Sequence, residues 1–173
     1  MRKLRLPLTK EDIASLHAGD QVELSGTIYT ARDAAHKKMK ELLDAGKPLP
    51  FNLKDAVIYY VGPTATEPGK AFGSAGPTTS SRMDAYTEMM VSNGMQAAIG
   101  KGKRSNDTKQ LFNSYKCIYF VAIGGAGAIL GKCVKKAEPV AFEELLSEAV
   151  QRLEIEDFPV FVGYDIYGGD IYD

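Results

Sequence analysis

The chain has little of three features that would place it in a special class of protein. It has only two cysteines, Cys117 and Cys133, and no CxxC pair, so we expect neither a disulfide framework nor a self-contained metal site. Its formal net charge of −1 gives no electrostatic reason to expect a nucleic acid or a membrane surface as partner. No apolar run is long enough to span a bilayer, and the basic residues 1–12 lack the apolar core of a signal peptide. We therefore expect a cytoplasmic protein.

The composition is that of an ordinary globular protein. Hydrophobic residues make up 45% and charged residues 25% of the 173 positions, and one domain over residues 1–173 can bury a substantial core. Apolar and β-branched runs predict strands, with helices between them. The predicted strands are 1–8, 22–29, 56–61, 95–99, 117–123, 137–142 and 158–166. This alternation predicts an α/β or mixed α+β fold.

Helix starts are predicted where Ser or Thr is followed three residues later by Asp, the spacing of a capping box. The three boxes are Thr9 with Asp12, Thr30 with Asp33, and Ser81 with Asp84. The predicted helices are 9–17, 31–45, 81–94, one that opens at Gly124, and 143–154. The polar residues 103–110 are expected to form a mobile surface loop before a short helical turn at 111–115.

Residues 71–104 concentrate features that core-building sequence seldom combines. Gly73, Gly76 and Pro77 indicate a tight, irregular backbone, and four hydroxyl residues follow at 78–81. Arg82 then falls in the first turn of a predicted helix, beside free backbone N–H groups. Hydroxyls, N–H donors and a guanidinium together make a plausible cradle for an anion.

Two glycine motifs resemble nucleotide loops without meeting their requirements. Residues 94–102 differ from a Walker A loop, because one residue too many precedes the lysine and Gly102 occupies the Ser/Thr position. Residues 124–130 open a helix after a strand, but Leu130 stands where a dinucleotide fingerprint has its third glycine. For this second motif we favour close helix–strand packing.

Four isolated residues each have a structural interpretation beside a functional one. Cys117 lies in an apolar strand, which favours a buried structural thiol, whereas Cys133 falls among basic residues where some reactivity is conceivable. His36 is interpreted as a packing or hydrogen-bonding histidine and not as a metal ligand. Asp165, at the end of a buried strand, is either functional or a cap or turn residue.

Three cations follow predicted strands, where the sites of α/β proteins gather. Arg32, Arg82 and Lys101 each lie in a loop or at a helix start. If they converge with Thr78 and Thr79, they would suit a small dicarboxylate. The alternative is that they are three separate surface cations.

The motifs taken together resemble the β subunit, or C-terminal domain, of the class I fumarase and L-tartrate dehydratase family of iron–sulfur hydro-lyases. The resemblance covers nearly the whole chain from about Leu16, and GPTT-x-x-RMD with a following GKG is its most specific signature. The stretches that carry it are TARDAAHKK (30–38), YYVGPT (59–64), GSAGPTTSSRMD (73–84), IGKGK (99–103), IGGAGAIL (123–130) and EDFPVFV (156–162).

The resemblance implies a fold, a reaction and a partner. It implies a single swivelling β/β/α domain, paired in an α₂β₂-type complex with an α subunit whose three cysteines hold a [4Fe–4S] cluster. The implied reaction is the reversible hydration of fumarate to L-malate, a step of the tricarboxylic acid cycle, at the α/β junction. The related alternative is dehydration of L-tartrate or of another hydroxy dicarboxylate. With two cysteines, this chain cannot hold the cluster in the family's way.

The resemblance also implies roles for five residues. Arg32, Thr78, Thr79, Arg82 and Lys101 are expected to bind the carboxylates of the substrate. Thr78 is further expected to take part in proton transfer, helped by an acid group from the other subunit, because a lone hydroxyl is a poor base. Two other interpretations remain: a stand-alone module that binds an anionic metabolite, and a purely structural partner that completes an interface.

Overall fold

The computed structural model describes residues 2–61, 76–122 and 127–173. In these ranges the chain forms strands β1 (Arg2–Arg5), β2 (Gln21–Thr30), β3 (Val57–Tyr59), β4 (Ala97–Gly100), β5 (Ile118–Val121), β6 (Val134–Ala141) and β7 (Val150–Tyr164). Its helices are α1 (Lys10–Ser15), α2 (Asp33–Asp44), α3 (Thr87–Ser92), α4 (Asn106–Ser114) and α5 (Gly127–Lys132), with a first 3₁₀ helix (Ser80–Tyr86) and a second (Glu143–Glu148). The predicted mixture of helices and strands is confirmed.

One sheet bends round until it closes on itself. Strands β1 to β5 are parallel neighbours in chain order, and β7 runs antiparallel to both β2 and β5. Strands β2, β3, β4, β5 and β7 therefore form a ring, with β1 and β6 continuing the pairing at its margins. Since β2, β3 and β4 are parallel, their carboxyl ends lie side by side at one edge of the ring. Every predicted site residue follows one of these three strands.

Side-chain alternation along the central strands supplies two hydrophobic cores. Val57, Tyr59, Ile99 and Phe120 pack with residues of β2 and β7 inside the ring. The intervening residues, Ile58 among them, face α2, α3 and α4 on the outside. A closed sheet with helices on its outer face results, which is consistent with the predicted α/β class. The β/β/α layering and the swivelling implied by the resemblance stay predictions.

One of the three predicted capping boxes is formed. At the start of α1, Asp12 N donates to Thr9 Oγ1 and Thr9 N donates to Asp12 Oδ2, both at 3.0 Å. The box at Thr30 is wrong, because its hydroxyl lies in the sheet, donating to Ala149 O and accepting from Gln151 N. Helix α2 begins instead after Arg32, without a side-chain cap.

The predicted box of Ser81 with Asp84 is also wrong. The helix there starts as a 3₁₀ turn whose N-cap, Thr79, makes no side-chain capping bond. The Asp84 carboxylate is used elsewhere, accepting from Arg104 Nε and from Ser105 N. Tertiary partners thus take the groups that local spacing assigned to helix caps.

Residues 103–110 are predicted to be a mobile surface loop; residues 103–105 lie outside the helices and strands, but the prediction is wrong for 106–110. Ser105 caps a helix, accepting from Thr108 N at 3.2 Å, and α4 runs to Ser114 through the predicted short turn. Helix α4 has a buried face, formed by Thr108 and Phe112, that the surrounding polar residues did not indicate. Arg104, which looked like a surface residue, is 3% exposed.

The helix predicted over 143–154 is replaced by two elements. A short 3₁₀ helix ends at Glu148, and Leu146 within it has non-helical angles and an 81% exposed side chain. From Val150 the chain is a strand that pairs with β6 on one edge and with β2 on the other. Pairing on both edges outweighs the helical spacing of the apolar residues.

Two of the isolated residues have the structural roles offered for them. Cys117 is fully buried, and burial raises the pKa of its thiol. Asp165 accepts hydrogen bonds from the backbone N–H groups of Ala18, Tyr167 and Gly169 at 2.8–2.9 Å, so it organises a turn. Although burial acts in the opposite direction, these bonds lower the pKa of that carboxyl. In the described ranges, no helix combines the length and the apolar character needed to cross a membrane.

Candidate functional site

The predicted site residues gather at the carboxyl ends of β2, β3 and β4. Arg32 follows β2, and the preceding Ala31 N donates to Tyr59 O at the end of β3. Thr78 N donates to Tyr60 O, which places Thr78 at the same edge. Lys101 comes directly after β4. Arg32, Thr78 and Lys101 therefore lie at one edge of the sheet and are not scattered over the surface.

A short backbone pairing joins the Thr78–Arg82 segment to the lysine. Thr79 and Lys101 form an isolated parallel bridge, and Ser80 N donates to Lys101 O at 2.9 Å. In return, Lys101 N donates to Ser80 Oγ, also at 2.9 Å. We call this mutual pairing the Ser80–Lys101 junction. It fixes the backbone of Lys101 while its side chain stays exposed.

Two hydrogen-bonded hydroxyl groups, those of Ser80 and Tyr119, support the Ser80–Lys101 junction. Tyr119 Oη lies 2.7 Å from both Ser80 Oγ and Gly102 O. Gly102 O can only accept, so Tyr119 donates to it and Ser80 donates to Tyr119. Ser80 Oγ is then free to accept from Lys101 N. The direction of every bond in this buried network is thereby determined.

Arg82 is held by an ion pair across two elements. Its guanidinium lies 2.6 Å from Asp33 Oδ2, which joins the first 3₁₀ helix to the first turn of α2. The Arg82 side chain remains 52% exposed, so it can still reach an incoming anion. Because the pair is open to solvent, it contributes little stability, about 0–1 kcal/mol.

Arg32 differs from the other two cations because part of its guanidinium is buried without a partner. Its Nε atom is out of contact with solvent and makes no hydrogen bond. Asp33 Oδ1, on the next residue, is buried and unbonded as well. A buried N–H without an acceptor costs free energy, so it is a place where a ligand oxygen would be favourable.

His36 supports the same turn of α2 from inside the fold. Its ring is 1% exposed between Tyr60 and Tyr86, and Nδ1 lies 2.7 Å from Arg32 O. Since a carbonyl only accepts, Nδ1 carries the proton, and the packing and hydrogen-bonding interpretation is confirmed. Burial is the main reason that the pKa of His36 falls from 6.5 to about 4, and the nearby Arg104 charge acts in the same direction.

This lowered pKa predicts a loss of stability in mild acid. In the unfolded chain His36 takes a proton near pH 6.5, whereas in the native protein it does so only near pH 4. The contribution of His36 to the free energy of unfolding should therefore be constant above about pH 6.5 and fall by about 3 kcal/mol between there and pH 4. Urea unfolding of His36→Gln, compared with the unaltered protein across this range, isolates the contribution. An equal fall in both proteins would contradict it.

Sequence reasoning missed the residues that hold the site together. Arg104, Asp84 and Tyr119 make its buried polar contacts. Asp84 was interpreted as a helix-cap partner, and Arg104 and Tyr119 were given no role. Arg104 stands in a polar run, and Tyr119 in an apolar one. The only signal in the sequence is that Asp84 and Arg104 lie close along the chain to the predicted site residues Arg82 and Lys101.

A cavity elsewhere in the described part of the chain is separate from the candidate site. A cavity of about 780 Å³ is lined by Asp55, Gln96 and Lys116, which precede β3, β4 and β5. It therefore lies at the amino ends of the strands and contains none of the predicted site residues. Within the described ranges, no group of three His, Cys, Asp or Glu side chains could hold a metal ion. Of the proposed glycine packing at 124–130, residues 124–126 lie outside the described residues, as does Gly73.

Comparison with known proteins gives consistent results over the whole chain. Residues 2–173 match the family model described as Fumarase C-terminus. The chain is 42% identical to Fumarate hydratase 2 of Leishmania major, over 98% of this chain and 30% of that protein. It is also 42% identical to Fumarate hydratase class I, anaerobic, of Escherichia coli K12, over 94% of this chain and 31% of that protein.

A third relative has nearly the same length as this chain. The protein of Methanocaldococcus jannaschii named "Putative L(+)-tartrate dehydratase subunit beta" is 40% identical, over 96% of this chain and 88% of that protein. The chain thus spans about a third of the fumarate hydratases and most of the tartrate dehydratase subunit. By its match to the family model, the chain belongs to the Fumarase C-terminus family.

Proposed function

We propose that the chain is the β subunit of a heteromeric class I fumarate hydratase. In this proposal it supplies the dicarboxylate-binding residues for hydration of fumarate to L-malate, at a junction with an α subunit. The observation that carries the proposal is the buried, unpartnered Arg32 Nε at an edge that also presents Arg82 and Lys101. A carboxylate would satisfy that donor and meet two further cations.

The cations would act by stabilising charge that develops during the reaction. The reaction is reversible, and in the dehydration direction removal of a proton next to a carboxylate places negative charge on that carboxylate. Arg32, Arg82 and Lys101 stand at the edge before substrate arrives, so little reorganisation is needed as the charge grows. Thr79, which pairs with Lys101 and is exposed, would add a hydroxyl donor. Interactions that strengthen in the transition state in this way raise kcat.

Thr78 is proposed as the group that moves a proton. Its backbone is held by the bond from Thr78 N to Tyr60 O at 2.8 Å, and its side chain is half-buried. A threonine hydroxyl at its ordinary pKa cannot act as a base alone, so a neighbour must take its proton. We propose that an acidic residue of the α subunit, in its ionised form, accepts that proton.

The iron–sulfur cluster of the family does not fit the residues of this chain. A cluster needs several thiolates, whereas Cys117 is fully buried with a raised pKa and Cys133 is the only other cysteine. We therefore propose that the α subunit holds the cluster, in an α₂β₂-type complex in the cytoplasm.

The proposal is tested by reconstitution with the candidate α subunit. The two chains are co-purified without oxygen, and fumarate hydration is measured by the complex and by each chain alone. Turnover by the complex only is the expected result. Fumarate turnover by this chain alone, or a complex whose rate is unchanged in Arg32→Ala, would overturn the site assignment. Lys37→Ala, an exposed cation on the outer face of α2, serves as the matched control.

Dehydration of L-tartrate is the second candidate reaction. It is favoured by the Methanocaldococcus relative, whose name contains tartrate dehydratase and of which this chain covers 88%. The same complex is therefore assayed with L-tartrate in parallel. Preference for tartrate would keep the roles of the five residues and change the substrate. Dicarboxylate binding by the isolated chain, with no complex formed, would instead support the stand-alone binding module.

A further inference from the structure

Arg104 carries the most deeply buried charge in the described part of the chain, and it is not one of the predicted site residues. The Arg104 side chain is fully buried, yet it is only three residues from Lys101. Its guanidinium is stacked among three rings, with Cζ 5.2 Å from the centre of Tyr60, 5.3 Å from Phe112 and 5.1 Å from Tyr119. Burying a charge in this way costs stability unless it is paired and hydrogen-bonded, so its contacts need an explanation.

The polar contacts of Arg104 lead to the element that carries Arg82. Nε donates to Asp84 Oδ1 at 2.6 Å, and Nη2 donates to Thr87 Oγ1 at 3.0 Å. The second oxygen of Asp84 accepts from Ser105 N at 3.0 Å. One carboxylate in the first 3₁₀ helix thus binds both the side chain of residue 104 and the backbone of residue 105.

The same residue is also fixed to the sheet. Arg104 N donates to Tyr164 Oη at 2.8 Å, at the end of β7, and Nη1 lies 3.4 Å from Tyr60 Oη. Residues 101–105 are therefore bound at both ends, to the first 3₁₀ helix at the Ser80–Lys101 junction and again through Arg104. The relative position of Arg82 and Lys101 is set by these two connections.

We propose that Arg104 is a positioning residue of the candidate dicarboxylate site, which holds Lys101 in register with the segment that carries Thr78, Thr79 and Arg82. The inference rests on the proposed function for its effect on catalysis. The planar fork of arginine is required because three acceptors lie in different directions around it. A lysine keeps the charge but is a compact point donor without the fork geometry.

The first test does not depend on activity. Hydrogen–deuterium exchange is measured on the full chain and on Arg104→Lys, at the backbone amides of Ser80, Lys101 and Ser105. We expect exchange at least tenfold faster at these three amides, with the amides shared by β2 and β7 unchanged. Equal acceleration throughout the protein would overturn the proposal, because Arg104 would then only stabilise the fold. Unchanged exchange at the three amides would overturn it as well.

The second test measures the consequence for turnover in the reconstituted complex. Arg104→Lys is expected to lower kcat/KM at least tenfold, because small misplacements of binding groups are costly. The matched control is Arg152→Lys, which makes the same change in an exposed pair with Glu138 and should leave kcat/KM within twofold. A loss in Arg152→Lys equal to that in Arg104→Lys would overturn the proposal.

Two further outcomes separate this inference from the proposed function. If the unaltered complex turns over neither fumarate nor tartrate, the proposed function fails, and the exchange pattern still decides the positioning role. If Arg104→Lys does not fold, Thr87→Val removes a single acceptor of the guanidinium and is measured in the same way. Faster exchange confined to the three amides would again support the proposal, and normal exchange there would overturn it.

Discussion

Replacement of Lys101 by alanine is expected to lower kcat/KM of the reconstituted complex by about 10²–10³, the loss typical of one preorganised group in a charge-stabilising site. The side chain of Lys101 is exposed, whereas its backbone N–H and C=O make the Ser80–Lys101 junction. Truncation therefore removes the ammonium group and leaves the junction bonded. The fold should survive with its melting temperature nearly unchanged.

Lys103→Ala is the matched control for this experiment. Lys103 is also exposed, two residues along the same segment, and it is not a predicted site residue. Its removal should leave kcat/KM within twofold. Near-normal turnover in Lys101→Ala would show that the lysine is not part of the site. A large fall in melting temperature would show that its side chain is structural.

Replacement of Gly100 by alanine is expected to damage both the fold and the site. A Cβ at this position would collide with Ser80 Oγ and would lie 2.8 Å from Tyr60 Cδ2. Both neighbours are buried, so the collision is relieved only by displacing them. We expect a loss of about 2–3 kcal/mol in the free energy of unfolding, within the range for overpacking. Since Ser80 Oγ holds Lys101 N, kcat/KM should fall at least tenfold as well.

A double-mutant cycle identifies the collision as the cause. Ser80→Ala removes the oxygen that the new Cβ meets, so Gly100→Ala in that background should cost at least 1 kcal/mol less. Gly76→Ala is the matched control, since its Cβ would lie at an ordinary 3.6 Å from Gly127 Cα. It should change stability by about 0.5 kcal/mol or less. Additive losses in the cycle would exclude Ser80 as the obstructing residue.

Sequence periodicity predicted the central strands and α2, because their apolar patterns agree with burial in the fold. It failed at residues 103–110 and 143–154 for a common reason. In the first, a buried arginine and a half-buried helix are formed by mostly polar residues, which local patterns assign to the surface. In the second, pairing on both edges of β7 overrode helical spacing. Both outcomes depend on residues distant in the chain, which local patterns do not contain.

The candidate site was partly predictable for a similar reason. Arg32, Arg82 and Lys101 follow parallel strands, and parallel neighbours bring such positions to one edge. The buried contacts that hold this edge together were not predictable, because Asp84 was interpreted as a helix cap and Arg104 as a surface cation. Their hydrogen bond at 2.6 Å joins two residues that are 20 positions apart in the chain, a separation for which no local sequence pattern exists.

The closure of the ring by β7 has a consequence for how the protein is made. The side chains of Thr27 in β2 and Glu154 in β7 are hydrogen-bonded although 127 residues separate them. Strand β2 can therefore find this partner only after synthesis has passed Glu154. Contacts of such high sequence separation slow folding, because loop-closure entropy is lost before they form. Until then the nascent chain presents an unpaired, apolar β2 edge, and in that interval it is exposed to aggregation.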